Sequence, residues 1–423
     1  MINTTLCYIK NDKNEYLLLH RTAKENDLNE GKWIGVGGKF EEGETADECV
    51  IREVYEETGL TLTKYHLHGV IKFVSDTWED EDMYLYSATG YTGTLKDRCD
   101  EGELKWIAAD KVLELPTWEG DRYFIGPLLK GRDRIDMLVE YKGDELVRHE
   151  DLTSDIDTLH SKLITCPHGF STRSGGVSDG MFDSLNLGMN RGDESARVTE
   201  NWRRFLESCD ITQRSFVCGK QVHENTVHIA TKEDARPAYG KYPYGRDLIE
   251  CDGYVTAQKD VPLAIFTADC VPVLMHDPVK GVIGAIHCGW RSTVSDIEKK
   301  AVDAFISLGS DPANIRVAEG PAIDKCCFEV GSEVIEAVET LIGDAAKDFY
   351  SPGPADKSFG DPAEKYMLDL RGVVRYRFIM LGIKKEHIET VGECTMCHPE
   401  KFYSHRGTKG NRGSLACVIT MDP

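Results

Sequence analysis

The chain has 423 residues, 41% hydrophobic and 29% charged, a length that calls for two or three domains of roughly 100–200 residues each. Its net charge of −22 argues against gripping a nucleic-acid backbone by simple electrostatics, although a divalent cation can still bridge acidic side chains to a nucleotide phosphate. No run of about 18 apolar residues occurs, and the opening MINTTLCYIKNDKNEYLLLH reads as a first strand and not as a signal peptide, so neither a membrane span nor export is expected and the expected compartment is the cytoplasm. There the fourteen cysteines are expected to be mostly thiols.

Residues 38–60 read GKFEEGETADECVIREVYEETGL. The spacing predicts a helix over Glu44–Thr58, with Ala46, Cys49, Val50 and Val54 on its apolar face and Gly59 as the C-cap. Glu53, Glu56 and Glu57 stand at i, i+3 and i+4 and leave the same face, where like charges destabilise a helix. Such a cluster is ordinarily a solvated acidic face. Here it lies inside a longer pattern. Gly38, Glu44, Arg52, Glu53, Val54, Glu56, Glu57, Gly59 and Leu60 resemble the box of the Nudix hydrolases at every specified position.

That resemblance implies an α/β/α sandwich over 1–150 and hydrolysis of a nucleoside diphosphate linked to another moiety. Glu53, Glu56 and Glu57 would hold Mg²⁺ or Mn²⁺, hard cations suited to carboxylate oxygens and to activating water beside phosphate. KWIGVGGKFEEGE and LPTWEGDRYFIGPLL are similar to the branch that acts on oxidised purine triphosphates. The likeness places Gly38, Trp118 and Asp121 at the nucleotide, with Trp118 stacking the purine and Asp121 reading its edge; a core aromatic is the competing reading of Trp118. His66 and His68 form an H-x-H pair that a strand turns to one side, and they are read as structural.

RIDMLVEYKGDELVRHE, 134–150, predicts a strand, a turn and a strand that finish the first domain. The polar stretch at 151–161 is placed as a linker, ahead of a second domain over 162–423. There, apolar runs such as VPLAIFTADCVPVLMHD (261–277) and GVIGAIHCGW (281–290) alternate with helical patterns, which predicts an α/β or α+β fold.

His223, Cys270 and His287 stand out as candidate ligands at strand ends, although each alone is more often structural. A His₂Cys set suits Zn²⁺, and three protein ligands with a free fourth position mark a catalytic site. Spacing alone does not bring the three together. The motifs HGFSTRSGGVSDGMFDSLNLG, KQVH, CDGYVTA, TADCVPVL, AIHCGWR, GPAIDKCCFEV, LDLRG and FYSHRGTKGNRG, in this order over 162–423, resemble the laccase-domain or polyphenol oxidase-like family. That family includes purine nucleoside phosphorylases and peptidoglycan-editing factors. The resemblance implies a mixed α/β fold in which His223, Cys270 and His287 bind one zinc. It also implies phosphorolysis of adenosine, inosine and methylthioadenosine, and deamination of adenosine. Two departures stand out: Cys288, a potential competing thiolate, replaces a small residue, and Ala322 stands where a cysteine is commoner.

For phosphorolysis, Arg173 in STRSGG offers a planar fork for phosphate or base, with Arg406 as a second candidate. Cys270 joins Arg173 as a catalytic candidate, and Asp252 or His228 are candidates to carry protons. The implied partners are nucleotides, purine nucleosides and phosphate, with no nucleic acid and no membrane. Copper-dependent polyphenol oxidation is the alternative, against which stands the single H-x-H pair in the first domain. A nucleotide-sensing first domain and peptidoglycan editing are further alternatives. CTMCH, 394–398, matches a haem-attachment pattern, but a buried thiol cluster is the preferred reading over haem or a second zinc.

Overall fold

The structure is a computed structural model describing residues 2–422 except 23–28, 97, 154, 190, 214, 238–248 and 354–364. The chain divides into two compact units, Met1–Ser154 and Asp155–Pro423. Among the described residues no helix is long and apolar enough to cross a membrane.

In chain order the first unit runs β1 (Ile2–Lys10), β2 (Glu15–Arg21), β3 (Trp33–Ile34), α1 (Ala46–Thr58), β4 (Leu60–Ser75), β5 (Glu81–Gly93), β6 (Arg98–Cys99), β7 (Gly102–Ala108), α2 (Arg122–Leu129), β8 (Met137–Lys142) and β9 (Glu145–Asp151). One mixed sheet joins all the strands in the order β6-β7-β2-β1-β5-β4-β8-β9, with β3 paired to β2. Alternation along β1 gives the sheet two apolar faces. Leu6 and Tyr8 pack with Phe124, Ile125 and Leu128 of α2, whereas Thr5 Oγ1 lies 3.6 Å from Cys49 Sγ of α1. Helices therefore cover both faces, as an α/β/α sandwich requires. Helix α1 starts at Ala46 because Thr45 caps it: the Thr45 hydroxyl accepts from Glu48 N–H, and the Glu48 carboxylate accepts from Thr45 N–H. Gly59 ends it at φ 75°, a conformation glycine adopts without a Cβ penalty.

The second unit runs β10 (Thr158–Leu159), β11 (His168–Ser171), α3 (Ser195–Ser208), β12 (Ser215–Phe216), β13 (Val227–Ile229), β14 (Arg236–Pro237), β15 (Gly253–Thr256), β16 (Leu263–Thr267), β17 (Val271–Asp277), β18 (Val282–Cys288), α4 (Trp290–Val294), α5 (Ile297–Ser307), β19 (Arg316–Glu319), β20 (Glu329–Gly331), α6 (Ser332–Ile342), β21 (Tyr350–Pro352), β22 (Lys365–Leu368), α7 (Leu370–Met380), β23 (Ile388–Thr390) and β24 (Leu415–Ile419). Its centre is a mixed six-stranded sheet, β13-β15-β18-β17-β19-β23. One face packs under α5 and α7 through Val282, Ile286, Phe305 and Phe378. The other packs on the four-stranded sheet β10-β11-β24-β16 through Ile283, Ala285, Ile265 and Cys417. Strand β18 is buried on both sides, which explains its continuous apolar reading. Residues 158–159, read from sequence as linker, pair with β11.

Candidate functional site

Strand register builds the site of the second unit. Val271 pairs with Cys288 and Pro272 with His287 across β17 and β18, so Cys270 and His287 meet at one end of these central strands. Gly253 pairs with Ile286 across β15 and β18, which brings Asp252 beside His287. His223 arrives on a loop, at φ 63°. The ligand atoms of His223, Cys270 and His287 all lie within 4.8 Å of one another. Gly289 leaves room for them: a Cβ there would lie 3.1 Å from the His223 ring and 3.3 Å from Cys270 Sγ.

Asp252 organises this cluster. Its Oδ1 lies 2.8 Å from His287 Nδ1, and its carboxylate accepts the backbone N–H groups of Val222, His223 and Glu224, each at 3.0 Å. One buried carboxylate thus fixes both the His223 loop and the orientation of the His287 ring, leaving Nε2 of His287 to face Cys270. Burial opposes ionisation of Cys270, but the adjacent His287 charge and hydrogen bonds from His223 and His287 outweigh it and bring the thiol down to about 6. Burial likewise pushes His287 down, and the Cys270 charge and Asp252 carry it up to about 9. Two imidazoles and a readily formed thiolate are donors that fit zinc, and three protein ligands leave a fourth position for substrate or water.

The cluster opens into a cavity of about 1050 Å³. Phe266, Trp290, Ile323 and Phe328 supply apolar lining, and Lys220, Arg191, Arg406 and Arg412 supply positive charge. Arg412 is buried, and that burial lowers its pKa to about 10, with Arg191 adding to the effect.

Several expected roles change. The Arg173 guanidinium donates to the carbonyls of Asp183 and Pro399, each at 2.8 Å, and stacks on Tyr403; it is not among the cavity-lining side chains. Arg406 does line the cavity, with Nη1 donating to Glu329 O at 2.9 Å. His228 pairs with Asp234 at 3.1 Å outside the cavity lining, and Asp252 orients His287 from behind. Cys288 is no rival ligand: alternation along β18 turns it into the helix-side core with Ile286. Of the CTMCH cysteines only Cys394 is buried; Cys397 and its neighbour Cys326 are exposed, so the cluster is not a buried one. Arg191, Arg412 and Lys220 were missed in the sequence; Arg412 sits in the quoted FYSHRGTKGNRG, but only the fold shows which arginine faces inward.

In the first unit, Arg52 gathers the acidic box. Its Nε and Nη2 bond both oxygens of Glu44 at 2.8 Å, and Nη1 reaches Glu53 at 2.7 Å and Glu56 at 3.4 Å. Glu57 accepts from Gly37 N–H at 3.2 Å. A Cβ on Gly38 would lie 2.5 Å from the Glu53 carboxyl, so glycine is what lets the loop approach it. Glu53, Glu56 and Glu57 leave one helix face but are not drawn within 4.8 Å of each other as the two cysteine-containing clusters are. Their all-oxygen donor set fits Mg²⁺ or Mn²⁺, which retain several waters.

Trp118 is partly buried against the α2 core, with Lys32 Nζ 4.2 Å from its ring centroid and Nε1 donating to Asn29 at 2.8 Å. Asp121 caps back to Trp118 N–H at 3.3 Å, and burial pushes its carboxyl up to about 7. His68 is satisfied on both ring nitrogens, by the Arg132 and Asp133 carbonyls and by Ser87, as its structural reading expects.

Residues 167–422 match the family described as multi-copper polyphenol oxidoreductase laccase, and residues 2–126 match the NUDIX domain. The second unit is 35% identical over 255 residues to purine nucleoside phosphorylase YlmD of Bacillus subtilis, covering 60% of this chain and 87% of that protein. Two solved structures are similar: YlmD from Geobacillus stearothermophilus (29% identity, 64% of this chain, 99% of that one, TM-score 0.56) and the Bacillus licheniformis hypothetical protein YfiH (32%, 60%, 92%, TM-score 0.54). The chain therefore belongs to the multi-copper polyphenol oxidoreductase laccase family and carries a Nudix domain ahead of that region.

Proposed function

We propose that the protein is a bifunctional enzyme of purine metabolism, whose second unit is a zinc-dependent purine nucleoside phosphorylase. The observation that carries this reading is the meeting of His223, Cys270 and His287 at a cavity with apolar walls and four cationic side chains. Zinc held there supplies a Lewis acid. The chain's own residues do the rest. Arg191, Arg406, Arg412 and Lys220 hold inorganic phosphate, and Phe266, Phe328 and Trp290 take the purine and exclude water. Asp252 keeps His287 and the His223 loop in place. An oxygen of monohydrogen phosphate attacks C1′ of the nucleoside, the C1′–N9 bond breaks with its electron pair going to the purine, and the proton that phosphate gives up is taken by the leaving base. Deamination of adenosine is the second activity of the same site. Copper oxidation is the less favoured reading, because among the described residues only one three-donor cluster contains histidine.

The first unit hydrolyses the pyrophosphate bond of a nucleoside di- or triphosphate, an oxidised purine nucleotide being the preferred candidate. Glu53, Glu56 and Glu57 hold Mg²⁺ or Mn²⁺, and Asp121, whose carboxyl burial raises to about 7, reads the base edge.

The deciding experiment incubates the zinc-quantified protein with adenosine, inosine or methylthioadenosine, with and without phosphate. Phosphate-dependent release of free purine, lost in His287→Ala, supports the phosphorylase. Several bound coppers and oxidation of a phenol without purine release would replace it with the oxidase.

A further inference from the structure

A second cluster of soft donors lies apart from the three ligands above. The loop that follows β19 carries Cys326 and Cys327, and the loop that follows β23 carries Cys394 and Cys397. A parallel bridge between Ala322 and Cys394 and a bond from Thr395 N–H to Ala322 O at 3.0 Å hold the two loops together. All four sulfurs lie within 4.8 Å of one another, with Cys397 Sγ 3.5 Å from Cys326 Sγ and 3.4 Å from Cys327 Sγ. Four thiolates around one zinc at about 2.3 Å would stand about 3.8 Å apart, close to this spacing, whereas a disulfide needs about 2.05 Å. Core packing accounts for Cys394 and in part for Cys327, but not for Cys326 and Cys397, which are exposed. Four thiols gathered from two loops, one exposed on each, point to a ligand that holds them.

We propose that Cys326, Cys327, Cys394 and Cys397 form a second metal site, a closed tetrathiolate for Zn²⁺ with a structural role. A backbone donor and an arginine clasp, itself paired with Asp324 at 3.3 Å, support the cluster. Asp324 N–H donates to Cys394 Sγ at 3.4 Å, and the Arg371 guanidinium bonds Ala322 O and Gly392 O, each at 3.3 Å, fastening the same two loops. Four protein ligands leave no open position, so this metal takes no part in turnover. Its effect reaches the cavity through Asp269, the neighbour of Cys270. Thr395 Oγ1 donates to Asp269 Oδ1 at 2.7 Å, and Ile323 N–H donates to Asp269 O at 2.8 Å. The metal would thus staple the loops that set Asp269 and present Ile323 and Phe328 to the substrate.

The test counts metal in protein purified under a thiol reductant. The expected zinc is two per chain for the unaltered protein, one for Cys270→Ser/His287→Ala and one for Cys326→Ser/Cys397→Ser. Cobalt loaded into Cys270→Ser/His287→Ala should show the intense visible bands and near-ultraviolet thiolate charge transfer of a tetrahedral sulfur site. That variant reads the second site whether or not the chain is a phosphorylase, and it does not require the Cys326→Ser/Cys397→Ser protein to fold. Absence of zinc and cobalt from Cys270→Ser/His287→Ala, with four thiols open to a thiol reagent, would overturn the proposal. Iron with acid-labile sulfide in place of zinc would overturn its choice of metal.

Discussion

The two units keep their chemistry in opposite ways. In the first, the acidic box is local: Glu53, Glu56 and Glu57 sit within one turn and a half of α1, and Arg52 from the same helix gathers the carboxylates around it. In the second, the donors come from positions 223, 270 and 287, and only the register of β15, β17 and β18 unites them. A local site should therefore lose its chemistry through small changes in one helix or its loop. A dispersed site should be sensitive to whatever fixes the ends of those strands.

The largest effect should come from the dispersed site. Cys270→Ser or His287→Ala removes a donor of the proposed zinc site, and loss of several kcal/mol of transition-state stabilisation should lower phosphorolysis by about a thousandfold. Nucleotide hydrolysis by the same preparations should be unchanged, and a parallel loss of both activities would break the separation drawn here. The mirror experiment is Glu56→Gln, for which pyrophosphate-bond hydrolysis should fall about a hundredfold or more while phosphorolysis is retained.

Gly38→Ala sharpens the contrast, because the new Cβ would press on the Glu53 carboxyl at the end of a movable side chain. Hydrolysis should drop about ten- to a hundredfold through misplacement of Glu53, with little change in melting temperature. A strong loss of stability would show that the glycine serves the fold. Asp252→Asn makes the comparable change in the second unit. It should weaken zinc affinity about ten- to a hundredfold, measured by competition with a chelator, since it loosens both His287 and the His223 loop.

The smallest effect is electrostatic. Burial raises the Asp121 carboxyl to about 7, against about 3.9 in an unfolded chain. Between those values the folded form keeps the proton and the unfolded form loses it. The stability that this group contributes is therefore present at low pH and declines as pH rises towards 7. Asp121→Asn should flatten that dependence and raise the melting temperature of the first unit by a few degrees at pH 8. An unchanged pH profile would mean that the carboxylate is solvated.

Much was legible without coordinates. The apolar spacing and Gly59 delimit α1 to within two residues, because helix periodicity and capping are short-range effects. That His223, Cys270 and His287 meet was legible only through the motifs of a family, since nothing local to any of them says where the others lie. Cys288 was decidable in principle: next to His287 on a strand, it had to face the opposite side. Arg173 was not. Its loop folds onto the carbonyls of Asp183 and Pro399, and the cavity takes its charge from Arg191, Arg406, Arg412 and Lys220.

The sequence by itself determined the elements whose cause lies within a few residues: the capped helix with its acidic face, the β8–β9 hairpin around Gly143, and the doubly buried strand before His287. Tertiary structure alone decided which donors meet. Strand register brought Cys270 to His287, and one carboxylate, Asp252, clamped a distant loop beside them. Two loops whose cysteines are some seventy residues apart brought four sulfurs into one cluster. The physical reason is range: propensity and capping act over a turn, whereas a metal site depends on register and loop closure across the whole domain.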